Sequence, residues 1–162
     1  MQTKKNIYSG SGMFSIRKVL YEDFEAIYPL LLELNSKELT KDDWRRLFVH
    51  YCGADENYYG HMLLHRNAVV GFMGLIFSRR LIGGTVQKFC NLTCWVFKKE
   101  YRGCRHPSGQ GFVHFLFQHQ LPQLKDYTVT GTAPIRSNVN LIMRYGLKEL
   151  ETEQIIILPV PG

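Results

Sequence analysis

The part of the chain that decides the fold is Phe89–Phe115, which reads FCNLTCWVFKKEYRGCRHPSGQGFVHF. Its first part, Phe89–Phe97, is apolar, aromatic or small, which favours a buried strand. Its second part, Lys98–Gly111, is basic and rich in glycine, which is typical of a turn. The segment Phe112–Leu121 that follows is apolar on most sides of a helical repeat, which predicts a buried helix. A strand, a glycine-containing turn and a helix in this order present backbone N–H groups and a helix N-terminus to a phosphate.

Positive charge is concentrated in the same stretch. The chain has a formal charge of +6, and the segment Lys88–Arg105 contains five basic residues and one acid, Glu100. Such a turn favours an anion, either a phosphorylated cofactor or a nucleic acid, although a solvated cationic loop would have the same composition. A nucleic acid is the least favoured partner, because only Phe97 and Tyr101 place aromatic rings among the cations.

Length and composition predict one domain of ordinary size. The 162 residues are 45% hydrophobic, which is enough for a core. We expect residues 1–12, which are polar, to be a loose tail and residues 13–162 to form a single domain. The apolar runs are shorter than the roughly 20 residues of a membrane span, and residues 1–12 contain no apolar signal-peptide core, so we expect a cytoplasmic protein with no membrane partner. The four cysteines form no CxxC pair and the histidines are scattered, so we expect reduced thiols and no metal site.

The rest of the chain alternates strands and helices. Pro29 should kink or divide the first helix, and Gly71 and Gly74 suggest a bulge or a close backbone approach within a strand. The order predicts an α/β fold with a mixed sheet. The predicted strands are Phe14–Leu20, Tyr59–His65, Ala68–Ser78, Thr85–Phe97, Tyr127–Thr132, Leu147–Leu150 and Gln154–Val160. The predicted helices are Tyr21–Asn35, Thr40–Tyr51, Phe112–Leu121 and a short one around Val139–Met143, with Arg79–Gly84 as a turn.

Four groups of residues carry a resemblance to a known family. Ile16-Arg17 with Glu22-Asp23 begins the match, and Val70-Gly71-Phe72 lies in the hairpin. Trp95 to Gly103, including Glu100-Tyr101-Arg102-Gly103, is the most specific group, and Met143 to Leu147 closes the match. Together they resemble the GNAT superfamily of acyl-CoA-dependent N-acyltransferases over Phe14 to about Val160.

The resemblance implies a GNAT-like domain whose mixed sheet is mostly antiparallel, with about seven strands and about four helices. It implies transfer of an acetyl or similar group from acetyl-CoA or another acyl-CoA to the amine of a small molecule or peptide, by direct attack. The pyrophosphate would lie on the turn at residues 102–109, and a homodimer is compatible with this interpretation. The residues implied to bind the cofactor are Trp95, Val96, Phe97, Arg102, Gly103, Cys104, Arg105, Ser108, Gly109 and Asn138. The candidate catalytic residues are Asn91, Thr93 and Tyr145.

The chain departs from the family pattern in the loop. The family's loop has the form Q/R-x-x-G-x-G/A. Counted from Arg102, the glycine positions hold Arg105 and Pro107; counted from His106, they hold Gly109 and Gly111. Either the loop is rebuilt, with Arg105 and Ser108 compensating, or the protein does not bind CoA.

The catalytic groups depart from the family pattern as well. Ile142 stands where many members have a tyrosine that acts as the catalytic acid and protonates the leaving thiolate. The strand Thr85–Phe97 contains no carboxylate that could act as a base. A catalytically degenerate GNAT-fold module, with a binding or regulatory role, is therefore the alternative function. The aromatic residues near the first helices form either an acceptor wall or part of the core; they are Trp44, Phe48, Tyr51, Tyr58 and Tyr59.

Overall fold

The computed structural model describes residues 13–34, 36–49, 53–131 and 136–148. The chain forms two compact units, residues 1–132 and residues 133–162. The predicted tail at residues 1–12, Tyr51 and the predicted strand Gln154–Val160 lie outside the described residues. Leu147 and Lys148, at the start of another predicted strand, are irregular chain after the turn at Gly146. None of the described helices is long and apolar enough to cross a membrane.

The first unit is built on one sheet with the strand order β1-β2-β3-β4-β5. Neighbouring strands are antiparallel except for β4 and β5, which are parallel. The predicted α/β fold with a mixed, mostly antiparallel sheet is confirmed, with five strands in the described residues where about seven were predicted. The strands are β1 Phe14–Lys18, β2 Gly60–His65, β3 Ala68–Ile82, β4 Thr85–Phe97 and β5 Thr128–Gly131. The helices are α1 Phe24–Leu31, α2 Lys41–Arg45, α3 Phe112–Gln120 and, in the second unit, α4 Arg136–Arg144.

Strands β3 and β4 form a hairpin that is longer than predicted. The predicted turn Arg79–Gly84 is wrong over its first four residues, because Arg79 pairs with Lys88 and Ile82 with Thr85. The turn itself is Gly83-Gly84, with φ of 58° and 80°. Two consecutive residues with positive φ are what a tight two-residue hairpin turn requires, and glycine adopts that conformation without strain.

Helices α1 and α2 cover one face of the sheet. The apolar side of α1 is buried, and the helix continues through Pro29, so Pro29 does not divide it; the alternative, a kink, stays a prediction. Thr40 caps α2 by accepting a hydrogen bond from the Asp43 N–H group at 3.2 Å, as the sequence predicts. The helix then tightens into a 3-10 turn that ends at Phe48, before the predicted end at Tyr51.

The aromatic residues of this region belong to the core. Trp44, Phe48 and Tyr58 are 5%, 0% and 7% exposed, and Phe48 packs edge-on against Phe24 with ring centroids 5.2 Å apart. Tyr59 is half-buried and packs against the same cluster. Of the two interpretations offered by the sequence, the core interpretation therefore holds for these four aromatic residues, and no acceptor wall is formed by them.

Helix α3 covers the opposite face. Trp95 packs against Phe117 of α3 with ring centroids 5.2 Å apart, whereas the next residue, Val96, lies in the cluster under α1 and α2. Successive residues of a strand point to opposite faces, so the end of β4 is covered on both sides. The sequence predicts such cover for the whole strand, but Thr85–Lys88 are exposed because the helices do not reach them.

Candidate functional site

Strand β4 is interrupted by a bulge at Cys94. Phe72 lies opposite Val96 and Gly74 lies opposite Thr93, so two residues of β4 face the single residue between them on β3. Cys94 has a φ of 49°, a left-handed conformation that residues other than glycine seldom adopt. A bulge of this kind increases the local twist and changes the direction of the strand. The prediction of a bulge from the strand glycines is confirmed.

The same glycines leave room for side chains of β4 against β3. A Cβ atom on Gly71 would lie 2.4 Å from the Phe97 ring, and one on Gly74 would lie 2.9 Å from the Thr93 side chain. Neither distance is compatible with a side chain unless its neighbour moves. The two glycines therefore fix the positions of Thr93 and Phe97, on either side of the bulge.

Beyond the bulge, β4 has an open edge in the described part of the chain. Strand β5 pairs with β4 only as far as Leu92. The Lys98 N–H group donates to the Val70 carbonyl at 2.9 Å, so Lys98 faces β3. Because consecutive backbone groups of an antiparallel strand alternate in direction, Phe97 directs its N–H and C=O groups to the open side. The Phe97 carbonyl there accepts a hydrogen bond from Arg102 Nε at 2.8 Å.

Two of the candidate catalytic residues lie beside the bulge. The Thr93 side chain and the Phe72 ring both lie beside Gly74. Phe72 packs in the same cluster as the buried residues of α1, so Thr93 lies on the face of the sheet that α1 covers. Asn91, two residues away, shares that face. Both side chains are half-buried: the Thr130 hydroxyl donates to Asn91 Oδ1 at 3.2 Å, and the Thr93 hydroxyl donates to Cys94 Sγ at 3.4 Å. Neither side chain can act as a base at neutral pH, but both can orient a polar ligand.

The thiols near the bulge are not activated. Burial raises the pKa of Cys94, although the hydrogen bond from Thr93 opposes this effect. Burial also raises the pKa of Cys90 to about 12, with a smaller contribution from the charge of Glu56. A cysteine nucleophile needs a lowered pKa, so neither thiol is placed for nucleophilic catalysis.

The turn between β4 and α3 is a closed loop. Arg105 and Gly111 form an antiparallel bridge. Inside it, the His106 N–H group donates to the Gln110 carbonyl at 2.7 Å and the Gly109 N–H group donates to the His106 carbonyl at 2.8 Å. The Arg105 guanidinium also donates to the Gly109 carbonyl, at 2.6 Å. The loop is therefore held in one conformation by its own backbone and by one of its basic side chains.

These bonds use most of the N–H groups that were expected to receive a pyrophosphate. Within residues 102–109, the N–H groups with partners inside the loop are those of Arg102, Cys104, His106, Ser108 and Gly109. The first turn of α3 has no side-chain cap, and its N-cap is Gly111. The helix N-terminus is thus open to an external acceptor of hydrogen bonds, which a phosphate would provide.

His106 anchors the loop through contacts that the sequence did not indicate. Its ring stacks on Phe115 at 3.9 Å between centroids and meets the edge of Phe14 at 5.4 Å. Its Nδ1 atom lies 2.8 Å from the Ser108 hydroxyl and accepts from the Ser108 N–H group at 3.1 Å. Burial lowers the pKa of His106, which favours the neutral ring that this acceptor role requires.

Other predicted cofactor residues also have partners inside the protein. Arg102 donates to Glu33 at 2.6 Å in addition to its bond with Phe97. Cys104 is 5% exposed, and its thiol donates to the Glu100 carbonyl at 3.1 Å. Gly103 has a φ of 73° in an open position, which suits a glycine at this turn. Val96 and Phe97 are buried, so they could reach a ligand only through their backbone groups.

The sequence did not indicate two further features of this region, a cavity and the ion pair between Arg102 and Glu33. The cavity, about 330 Å³, lies between α1 and the end of β4, and Pro29, Leu30, Glu33, Val69 and Lys98 are among its lining residues. Glu33 bonds Arg102 across 69 residues of sequence, a separation that no local pattern reveals. The described residues include no group of three or more metal-binding side chains placed around one point.

Two predicted site residues belong to the second unit. Asn138 lies within α4, and Tyr145 follows the helix as a half-buried residue whose N–H group donates to the Ile142 carbonyl at 3.0 Å. Their roles in cofactor binding and catalysis remain predictions.

Comparison with solved structures identifies the fold. A predicted acetyltransferase with acetyl-CoA from Clostridium acetobutylicum matches with a TM-score of 0.65 at 10% identity, over 90% of this chain and 96% of that chain. The ribosomal-protein-alanine N-acetyltransferase from Brucella melitensis biovar Abortus 2308 gives a TM-score of 0.58 at 13% identity, over 92% and 100%. Glucosamine-6-phosphate N-acetyltransferase from Arabidopsis thaliana gives a TM-score of 0.56 at 15% identity, over 91% and 99%.

No family model matches the sequence, and no curated protein matches it significantly. The structural matches nevertheless extend over about nine tenths of the chain and nearly all of each of these three proteins. The chain therefore has the fold of the GNAT superfamily of acyl-CoA-dependent N-acyltransferases.

Proposed function

We propose that the protein is an acyl-CoA-dependent N-acyltransferase that moves an acetyl or similar acyl group to the amine of an acceptor. The observation that carries this proposal is the interrupted end of β4. There a bulge at Cys94, an open edge at Phe97 and a closed basic loop before α3 follow one another within a few residues. Such an arrangement offers an extended ligand a backbone edge and offers a phosphate a helix N-terminus.

The chain's own groups would divide the binding of the cofactor between them. The Phe97 N–H group on the open edge can donate to an amide carbonyl of the pantetheine arm. The arm would then take the place of a neighbouring strand in the sheet. Arg105 and the first turn of α3 would hold the pyrophosphate. Of the two ways to match the family's loop pattern to this chain, the structure favours the one counted from His106, whose glycine positions are Gly109 and Gly111. Gly109 has a left-handed φ of 86°, and Gly111 is the N-cap of α3.

The acyl group would then lie near the bulge, where Asn91 and Thr93 are available. The thioester of the cofactor supplies the activated acyl group, and the protein has to position the amine and manage its proton. Residues 57–99 contain no carboxylate, so β3 and β4 offer no acidic side chain as a base. We propose that the amine arrives neutral or loses its proton through water, with Asn91 or Thr93 orienting it. Tyr145 is the proposed proton donor to the leaving thiolate.

A thermal melt with and without acetyl-CoA tests cofactor binding. A ligand present at about 100 times its dissociation constant stabilises the native state by roughly 2.7 kcal/mol, which shifts the midpoint measurably. We expect a shift with acetyl-CoA and none with adenosine alone. An unchanged midpoint at millimolar acetyl-CoA would contradict the proposal.

The loop assignment has a charge-matched control. Arg105→Glu should weaken acetyl-CoA binding at least tenfold, since it reverses a charge at the proposed pyrophosphate contact. Lys99→Glu makes the same change at an exposed position of the same loop, and we expect less than a threefold effect. Equal effects of the two variants would show that only the general positive charge matters.

The second candidate is a binding module that holds the cofactor without transferring the acyl group. It is favoured by the absence of a carboxylate in residues 57–99 and by the internal use of the loop N–H groups. Release of free CoA thiol from acetyl-CoA separates the two candidates. The names of two structural neighbours suggest the first amines to test, which are peptides with an N-terminal alanine and an amino-sugar phosphate. Acetyl-CoA binding without thiol release with any amine of a broad panel would favour the module. The cytoplasmic location and the homodimer also remain proposals.

A further inference from the structure

The far end of the β3–β4 hairpin, residues 79–88, is here called the ribbon tip. Strand β2 pairs with β3 only as far as Gly74, and β5 pairs with β4 only from Phe89 onward. In the part of the chain that the structure describes, the ribbon tip therefore pairs only with itself and projects beyond the rest of the sheet. A two-stranded ribbon gains little stability from its own contacts, so its composition is free to serve another purpose.

The ribbon tip exposes aliphatic side chains at its extremity. Leu81, Ile82 and Val86 are 72%, 48% and 61% exposed. They flank the Gly83-Gly84 turn, where no atom lies within 4 Å of either Cβ position. Three large aliphatic residues clustered at the most distant point of a ribbon differ from the scattered exposed residues of an ordinary surface, and such clusters mark interaction sites.

The charges of the ribbon tip are all positive. It contains Arg79, Arg80 and Lys88, and no acid occurs anywhere between Asn57 and Lys99. Arg79 is paired with Asp55. Arg80 lies over the Phe89 ring at 5.2 Å and Lys88 lies 5.7 Å from the Tyr127 ring centroid, and neither forms an ion pair with a carboxylate of the described residues. The ribbon tip therefore suits an anionic partner.

Aliphatic and cationic residues follow a fixed order along the ribbon. Ile82 and Arg80 are two residues apart and share one face; Val86 and Lys88 are two residues apart and share the other. On both faces the aliphatic residue is nearer the turn, and the cation lies about 6.8 Å further back, given about 3.4 Å per residue. An apolar group that enters a bilayer interface lies roughly 5–10 Å deep. With the aliphatic residues at that depth, the two cations reach the level of the lipid headgroups.

We propose that the ribbon tip docks the protein on an anionic phospholipid surface. Such docking requires no spanning segment, so it is compatible with the short helices of the described residues. A second copy of the chain fits less well, because ten residues are far fewer than the 20–30 that each partner contributes to a stable interface. Two such tips would also bring like charges together. A nucleic acid fits less well because the exposed side chains at the turn are aliphatic and cannot stack on bases.

Sedimentation with vesicles tests the proposal on the full chain. We expect binding to vesicles of phosphatidylcholine and phosphatidylserine at a ratio of 7:3, and much weaker binding to pure phosphatidylcholine or at high salt. Replacing Leu81, Ile82 and Val86 together by Ser should lower the partition coefficient at least tenfold. Arg80→Gln and Lys88→Gln should each lower it about fivefold, since one cation near an anionic surface is worth about 1 kcal/mol.

Leu39 and Val49 lie outside the ribbon tip and are 43% and 45% exposed. A control variant carries Leu39→Ser and Val49→Ser. It should bind the vesicles like the wild type, and thermal melts should show that every variant is folded. Equal binding by the wild type and the triple variant would overturn the proposal, as would equal binding to charged and neutral vesicles. A dimer in light scattering that the triple variant abolishes would assign the ribbon tip to a second copy instead. Binding to single-stranded RNA that persists in the triple variant, with no vesicle binding, would assign the cations to RNA.

Discussion

The two ends of β4 pair with the same neighbour, β3, yet they differ in regularity and burial. Thr85–Lys88 form successive pairs without interruption and are exposed. Toward Phe97 the strand is largely buried, bulges at Cys94 and has an open edge among the described residues. The difference allows one strand to provide both the proposed backbone site for a ligand and a projecting surface. Packed helices hold the irregular end in place, whereas the regular end pairs, among the described residues, with β3 alone.

The largest expected effect is on the free energy of unfolding, which should respond differently to the same substitution at the two ends of β4. Val96 is 3% exposed and Val86 is 61% exposed, and both lie in β4. Val96→Ala should lower the free energy of unfolding by about 2–3 kcal/mol, because it removes buried methyl groups and leaves a cavity. Val86→Ala, the matched control, should change it by less than about 0.5 kcal/mol. Urea unfolding measures both, and similar values for the two variants would mean that the ends of β4 are not packed differently.

The next effect is a loss of stability at low pH, which we expect from the buried side chain of His61. Burial lowers the pKa of His61 from 6.5 to about 4, and the neighbouring His119 adds to this effect. Below pH 6.5 the unfolded chain binds a proton at His61 that the folded chain does not, so stability falls as the pH drops toward 4. The loss between pH 7 and pH 5 should be about 2 kcal/mol.

The variant His61→Leu isolates this contribution. It cannot bind the proton in either state, so its free energy of unfolding should fall less steeply between pH 7 and pH 5 than that of the wild type. Carboxylates that titrate in this range contribute equally to both proteins and cancel in the difference. Parallel curves for the two proteins would show that His61 has a similar pKa in the folded and unfolded chains.

The smallest expected effect concerns turnover and depends on the proposed function. Asn91→Ala should lower the turnover number about tenfold and change acetyl-CoA affinity by less than about twofold, since it removes a group that orients the reactants. Gln87 lies on the same strand and the same face, four residues toward the exposed end. Gln87→Ala should leave both quantities unchanged. Unchanged turnover in Asn91→Ala would remove Asn91 from the site.

Much of the fold could be predicted from local patterns. The limits of β4 are as predicted, because Gly83-Gly84 and Lys98 mark its ends clearly. The error at Arg79–Ile82 has a physical cause: charged residues suggest a turn, but an exposed ribbon accepts them as readily as a loop does. The early end of α2, where the helix gives way to a 3-10 turn with Phe48 buried, was also missed, because helix boundaries are poorly defined by apolar spacing.

The candidate site was less accessible to sequence reasoning. Gly71 and Gly74 indicate the bulge because the absence of a side chain is itself a local signal. The contact of His106 with the edge of Phe14, which helps to anchor the closed loop, joins residues that lie 92 positions apart. The pairing of Arg102 with Glu33 is equally remote. Such contacts are set by the tertiary fold, so the sequence could identify the loop but not the partners of its side chains.

The cysteines along β4 and its loop have a practical consequence for following motion. Cys90 lies in the regular part of the strand, Cys94 at the bulge and Cys104 in the loop, and all three are free and at least half-buried. A thiol reagent reaches a shielded cysteine mainly when the surrounding structure opens. In a protein with Cys52 replaced by Ser, the alkylation rates of the three thiols therefore measure how often each part opens. The chain carries a separate reporter of local opening for the ladder, the bulge and the loop.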